Sequence, residues 1–183
     1  SRQKRRTVTS INPLLRTVSF NTVEGLSIGL SGSWRKKPDS NNVNKEIVIS
    51  PAIRYGFSNR HFNARLAGTY SSGKKYPSYI SMAGGKYVFQ FNNMDPVGPL
   101  MNTFSSLLRE NNHLKLYEAW FVKSGYTREL NNGFRMLAGI EYQQRLPVDN
   151  STNYSWRQYK DRSYTPNYPV DILTAPMERH QAF

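Results

Sequence analysis

Large apolar side chains alternate with small or polar ones along five stretches of this chain. In Gly25 to Trp34, the residues Leu26, Ile28, Leu30 and Trp34 fall on one side, and Ser27, Gly29, Ser31 and Ser33 on the other. A strand repeats every two residues, so such a segment has one greasy and one wet face. The rhythm returns in Ile47 to Phe57, Phe62 to Tyr70 and Phe134 to Tyr142, and less cleanly in Leu114 to Leu130, where Ala119 to Val122 is apolar on both faces.

The pattern predicts a first strand from about Val18 to Trp34, a second over Glu46 to Ser58 and a third over His61 to Tyr70. Residues 35–45 read as a loop from their Pro, Asp, Ser and Asn cluster. Pro13 discourages a strand through the lead-in, and Pro51 should force a bulge because proline cannot donate to a ladder. Asn59-Arg60 makes one tight reversal. Asn131-Asn132-Gly133 makes another, where Asn-Gly supplies the positive φ angles of a hairpin turn between Leu114–Leu130 and Phe134–Arg145. Between the hairpins, Tyr79 to Phe91 carries a Gly84-Gly85 break. Leu100, Phe104, Leu107 and Leu108 follow at helical spacing and predict a short helix over Leu100 to Glu110.

Alternating short turns and long loops are the habit of outer-membrane barrels, which place short turns in the periplasm and longer loops outside. With Asn59-Arg60 and Asn132-Gly133 both periplasmic, residues 35–45, 71–113 and 146–178 all fall outside. That arrangement requires Tyr79 to Phe91 to fold over or into the lumen. Five crossings, with a sixth beginning near Arg179, are too few for a barrel of about eight strands. The expected fold is therefore all-β, a partial transmembrane antiparallel β-barrel of about five to six strands of a larger barrel, with a short helix in a long extracellular or lumenal excursion. Residues 1–16 form the lead-in, 17–146 the strands with a 71–113 loop and helix insertion, 147–178 an extracellular loop, and 179–183 the start of a further strand.

Charge assigns the faces. Arg54, Arg65 and Arg135 sit mid-strand opposite the apolar rows, and a basic side chain facing lipid near the midplane costs about 2 to 4 kcal/mol. Arg54, Arg65, Arg135, Glu141 and Arg145 are accordingly expected in the lumen, joined by Glu24 and Glu118. Leu26, Ile28, Leu30, Ile47, Ile49, Ile53, Leu66, Met136 and Ile140 are expected against lipid. Trp34, Tyr55, Phe57, Phe62, Tyr70 and Tyr142 lie near strand ends, as an aromatic girdle would. A soluble antiparallel sheet with a core on its greasy side uses the same alternation.

Composition narrows the alternatives. At 183 residues the chain suits one domain, and the absence of cysteine removes disulfides and thiol chemistry. It opens without an initiator Met or a signal-peptide pattern, which suggests a processed product or an excised piece. The net charge of +13 raises a second reading, a soluble basic β-domain that binds nucleic acid or another polyanion. Only Arg2, Lys4, Arg5 and Arg6 are dense, however, so the leading reading has no nucleic-acid partner. His61, His113 and His180 have no metal-ligand spacing, no Gly-x-Ser-x-Gly elbow occurs, and Gly84-Gly85-Lys86 lacks the phosphate-loop frame and reads as a strand bend. No catalytic, cofactor or metal residue is assigned.

Certain strings carry a further signal: Val18-Ser19-Phe20-Asn21-Thr22-Val23-Glu24-Gly25-Leu26, Arg54-Tyr55-Gly56-Phe57-Ser58-Asn59-Arg60, Lys115-Leu116-Tyr117-Glu118, Asn132-Gly133, and Glu141-Tyr142-Gln143-Gln144-Arg145-Leu146-Pro147. Across Asn12 to Tyr154 the chain resembles a group of large Bacteroidota outer-membrane proteins of unassigned function, with a carboxypeptidase-regulatory-like domain ahead of a β-barrel. Asn21-Thr22-Val23-Glu24-Gly25-Leu26 is the most specific part. The resemblance implies an internal part of a longer barrel and supplies no catalytic residues. The functional expectation is a non-enzymatic, plugged outer-membrane barrel that serves as scaffold, envelope-assembly or export partner, or passage. Outer-membrane lipid and other envelope proteins would be its partners. A membrane-embedded enzyme is a third reading.

Overall fold

The structure is a computed structural model describing residues 6–13, 18–38, 45–92, 97–131, 133–157, 161, 163–168 and 180–182. Among them the elements run β1 (Arg6–Ile11), β2 (Val18–Asn21), β3 (Gly25–Lys37), β4 (Lys45–Gly56), β5 (Phe62–Ser72), β6 (Ser78–Gln90), α1 (Pro99–Arg109), β7 (Leu116–Glu129), β8 (Arg135–Leu146) and β9 (His180–Ala182). Every pairing is antiparallel, in the order β1-β3-β4-β5-β6-β7-β8-β9, with β2 also on β3. β1 lies opposite Gly32–Lys37 and β2 opposite Gly25–Ile28, so together they form one interrupted edge strand. The all-β antiparallel class is as expected, in an open sheet. Arg2, Lys4, Arg5, Asn132, Arg179, Phe183 and residues 39–44 of the first loop lie outside the described residues.

Three expectations about the strands are corrected. The predicted strand Val18 to Trp34 is two strands joined by a reversal at residues 22–24. There the Asn21 side-chain oxygen accepts the N–H groups of Val23 and Glu24 at 2.9 and 2.8 Å, and Gly25 takes φ 65°. This is an Asx turn, hidden in the sequence because apolar alternation runs through it. Second, Tyr79 to Phe91 does not fold over the lumen: β6 pairs along its whole length with β7. Gly84-Gly85 is a bend and not a break. Gly85 has φ 137°, and a Cβ there would stand 2.3 Å from the Ala64 carbonyl oxygen. Pairing with β5 stops next door, at Ala64 opposite Lys86, while pairing with β7 continues to Gln90 opposite Leu116. Third, no residue is inserted at Pro51. The β3–β4 ladder lapses between Ser31–Ala52 and Trp34–Ile49 and resumes in the same register, which suffices where one N–H is missing. The lead-in is also more ordered than expected, since Arg6–Ile11 pairs with β3 before Asn12-Pro13 ends the strand.

With β6 a full strand, the two tight turns lie at opposite ends of the sheet. One end, here the cap end, gathers residues 22–24, 57–61, α1 with residues 110–115, and residues 147–157 after β8. The other carries the facing ends of β3 and β4, the turn at 73–77, and the facing ends of β7 and β8. The expected grouping of both tight turns on one side, and of 35–45 with 71–113 and 146–178 on the other, is thus overturned.

Register sorts the side chains. Directly opposed residues share a face, so Trp34, Ile49, Gly68, Met82, Ser124 and Ile140 form one transverse row, and Leu30, Ile53 and Ala64 part of another. Ile28, Ile49, Leu66 and Ile140 are 36%, 38%, 56% and 76% exposed, and no second layer among the described residues covers them. The opposite face is polar and concave. A groove of about 320 Å³ is lined there by residues from β3 through β7, including Ser31, Ser50, Arg65, Phe121 and Lys123.

The buried core sits at the cap end, where Val23, Leu114 and Leu116 pack with Val88, Val97 and Val148. Leu116, Tyr117, Glu118 and Ala119 are buried in succession, so both sides of β7 are covered there. Ala119 to Val122, apolar on both faces in sequence, alternates in the sheet: Ala119 and Phe121 are buried, Trp120 and Val122 exposed on the greasy face.

Candidate functional site

Two buried carboxylates organise the cap end. Glu24, in the β2–β3 turn, is 1% exposed and receives Arg54 in a fork: Nε donates to Oε1 at 2.7 Å and Nη2 to Oε2 at 2.6 Å. Asn21 Nδ2 adds a third donor at 2.8 Å. Arg54 Nη2 reaches on to Ser27 Oγ at 2.9 Å, so strand β4 is tied to the hairpin of β2 and β3. A planar guanidinium matches both carboxylate oxygens at once, which is why Arg rather than Lys suits a buried pair.

Glu118 on β7, 2% exposed, is similarly filled. His61 Nδ1 donates to its Oε1 at 2.8 Å, Asn63 Nδ2 donates to the same oxygen at 3.1 Å, and Lys86 Nζ approaches Oε2 at 2.6 Å. These donors come from the β4–β5 turn, β5 and β6. The one side chain therefore joins three strands where β5 and β6 part company beyond Gly85. Each carboxylate receives three donors and is almost wholly buried, an arrangement that anchors the strands around it.

A third cluster of amides fastens α1. Asn102, fully buried, donates from Nδ2 to Asn112 Oδ1 at 2.9 Å, while its Oδ1 accepts the backbone N–H of His113 and Leu114 at 2.9 and 3.1 Å. Asn112 in turn donates to Thr22 Oγ1 at 2.6 Å, and Thr22 donates to Asn150 Oδ1. The N–H groups of Ser151 and Thr152 reach the Thr22 carbonyl. Asn167 brackets the start of β7, accepting from Leu116 N and donating to Leu116 O and Val148 O. Lys115, in the connection before β7, donates to Thr165 Oγ1 and the Pro166 carbonyl, and burial holds its amine below the usual lysine range. Burial, with Glu110 nearby, pushes the Tyr164 hydroxyl up to about 12. It stays a donor, to the carbonyls of Ser106 and Tyr154.

The chain belongs to the C-terminal domain of a family of unknown function (DUF5686), which matches residues 1–183. No curated protein and no solved structure matches it. The string Asn21 to Leu26, on which the resemblance chiefly rests, is the Asx turn itself with its buried Glu24.

The expected lumenal residues separate into distinct settings on the concave face. Arg54 is consumed by Glu24. Arg65 lies 4.4 Å over the Tyr87 ring. Arg145 stands 5.0 Å over Tyr117 and donates to Gln143 Oε1. Glu141 accepts from Gln143 and lies opposite Lys123. Arg135 is opposite Glu129 at the far end. These five do not converge on one point. Of the expected lipid-facing residues, Leu26, Ile28, Leu30, Ile49, Ile53, Leu66, Met136 and Ile140 are exposed, and Ile47 is half-buried. Of the girdle, Tyr55, Phe57, Phe62 and Tyr70 are exposed, and Trp34 and Tyr142 half-buried. Tyr55 and Phe57 meet edge to face at 5.1 Å.

Sequence reasoning missed Asn21, Asn63, Lys86, Asn102, Asn112 and Asn167. Isolated amides carry no periodic signal. The one available clue was Asn21 three residues ahead of Glu24 and just before a glycine, the signature of an Asx turn. Among the described residues no three His, Cys, Asp or Glu side chains are grouped as a metal would need, and no helix is long and apolar enough to cross a membrane.

Proposed function

We propose that this chain forms wall strands of an integral outer-membrane β-barrel, with its apolar rows against hydrocarbon and its arginine-bearing face toward the lumen. The observation that carries the proposal is an uninterrupted apolar row on β4 with no layer of described residues over it. From Ile47 through Ile49, Pro51 and Ile53 to Tyr55 the side chains on that face are apolar, eight residue steps in all, and Phe57 follows in the turn. At about 3.4 Å per step this is about 27 Å along the strand, and at a tilt of about 40° it stands about 21 Å tall, most of the roughly 25 Å apolar band of such barrels. Beyond it the next row turns largely polar, with Lys45, Ser72, Ser78 and Arg128 ahead of Met136.

The cap end carries both long connections, and barrels keep their longer loops outside, which orients this end toward the cell surface. The role is non-enzymatic: Glu24 and Glu118 serve as anchors for the cap. The cap narrows one mouth of the barrel, so the protein acts as a scaffold or as an envelope-assembly or export partner rather than as a wide diffusion pore. We further place it in the outer membrane of Bacteroidota, within a longer polypeptide that carries a carboxypeptidase-regulatory-like domain ahead of the barrel, in contact with lipid and other envelope proteins.

Electrophoresis of the full-length protein with and without boiling tests this reading. The barrel requires detergent for extraction and migrates faster unboiled than boiled. Complete solubility without detergent, together with steeply salt-dependent polyanion binding, would instead support the soluble basic domain.

A further inference from the structure

Helix α1 is built inside out. Its fully buried side chains are Asn102 and Ser106, with Leu107 beside them, whereas Leu100, Met101, Phe104 and Leu108 are 53%, 69%, 56% and 46% exposed. At 3.6 residues per turn the four exposed apolar residues fall within an arc of about 100°, with the buried Leu107 at its margin next to Leu100, and Asn102 and Ser106 lie on the opposite side. In a helix packed onto a water-soluble body the order is reversed.

The polar side has a definite task. Thr103 Oγ1 accepts the Phe20 N–H at 2.9 Å while donating to the Pro99 carbonyl at 2.8 Å, and Asn102 Nδ2 lies 3.4 Å from the Phe20 carbonyl as its donor. Phe20 belongs to β2, the outermost strand at this corner. A sheet edge exposed to lipid must have its backbone groups satisfied internally, and this helix supplies the partners that a further strand would otherwise supply.

The apolar side is continuous with the greasy face of the sheet. Phe20 lies opposite Leu26 and shares its face. The Tyr154 ring meets Phe20 edge to face at 6.1 Å. Tyr154 is in turn joined to the helix, since the Tyr164 hydroxyl donates to both the Tyr154 and Ser106 carbonyls, and Trp156 N–H donates to Leu107 O. Tyr154 and Trp156 are 57% and 62% exposed. Tyrosine and tryptophan beside an amphipathic helix suit the boundary between headgroups and acyl chains.

We infer that α1, with residues 151–157, is an interfacial wedge: its amide-bearing side completes the β2 edge, and Leu100, Met101, Phe104 and Leu108 rest in the bilayer boundary at the cap end. This rests on the proposed barrel, with the rows of Ile49 and Ile140 in hydrocarbon. No group of the helix reacts with the lipid; the occupant is the bilayer itself.

The test uses the full-length protein reconstituted in phosphatidylcholine vesicles doped with chain-brominated phosphatidylcholine. Single cysteines replace Met101, Phe104, Ile140 or, as a wet-face control, Ser50, and each carries a bimane fluorophore. The inference expects shallow bromines to quench positions 101 and 104 and deep ones to quench position 140, with position 50 unaffected. Quenching at 140 without quenching at 101 and 104 overturns the wedge and leaves the barrel standing. Absence of quenching at all three overturns both. An Asn102→Asp variant adds a second readout: a charge on the inner side should loosen the helix and lower quenching at 104 while 140 is unchanged, and equal quenching at 104 would count against the edge-capping role.

Discussion

Replacing Arg54 with methionine removes the fork on Glu24 while keeping a long, unbranched side chain in the wall. Glu24 is 1% exposed and would retain only the Asn21 donor at 2.8 Å. A carboxylate left buried without its partner costs about 3 to 5 kcal/mol, more than a neutral hydrogen bond could restore. At about 1.4 kcal/mol per decade this is a loss of roughly two to nearly four decades in the folded population. The companion Glu24→Gln, Arg54→Met double variant removes the stranded charge and should recover a large part of that loss, since a buried pair replaced as a unit is often nearly neutral. Urea titration of the full-length protein in detergent micelles, read from the compact unboiled band, measures both. Arg54→Met within about 1 kcal/mol of wild type, the value of a surface pair, would refute the claim that this ion pair clamps the hairpin to β4. So would a double variant no better than the single.

Other consequences can be checked in parallel. Gly85→Ala forces a side chain into φ 137° at 2.3 Å from the Ala64 carbonyl oxygen; it should cost about 1 to 3 kcal/mol or more, seen as a lower urea midpoint, whereas Gly98→Ala, with nothing within 4 Å, should be near neutral. Asn102→Ala strands the N–H groups of His113 and Leu114, each worth about 1 to 3 kcal/mol when buried and unpaired, and protease should then nick residues 110–115 before the strands. Ile140→Arg should cost about 2 to 4 kcal/mol of barrel stability in a bilayer, while Glu141→Gln, one residue away on the other face, should leave it within about 0.5 kcal/mol. Lys115 has its folded pKa held low by burial, so the unfolded chain binds its proton more readily. Stability therefore rises with pH between that lowered value and the ordinary lysine pKa of about 10.4, and Lys115→Met should flatten this slope in alkaline urea titrations.

Much of the sheet was legible because burial on one face imposes a period of two. Leu26, Ile28, Leu30, Ile53 and Ile140 share a face in the register as they do in the pattern. Strand β6 was visible as a segment but was kept out of the wall by the sidedness of the loops, and its apolar row, Ile80 and Met82, runs into Gly84 and Lys86. The Asx turn at Asn21 escaped because its flanks alternate in phase, leaving one asparagine and one glycine to mark the reversal. The helix was visible, but its orientation was not: spacing tells that Leu100, Phe104 and Leu108 share a side, and not whether that side meets protein. Arg54 was correctly set apart from the apolar row, yet its partner Glu24 is thirty residues away and carries no periodic mark.

Position-by-position chemistry along β4 tests the central claim most directly. This chain contains no cysteine, so single cysteines from residue 47 to 57 can be introduced into the full-length protein in native membranes and exposed to a membrane-impermeant maleimide. The account expects labelling to alternate, with residues 48 and 50 open to water and residues 47, 49, 53 and 55 protected until the membrane is dissolved. Prompt labelling of 49 and 53 in intact membranes would contradict it.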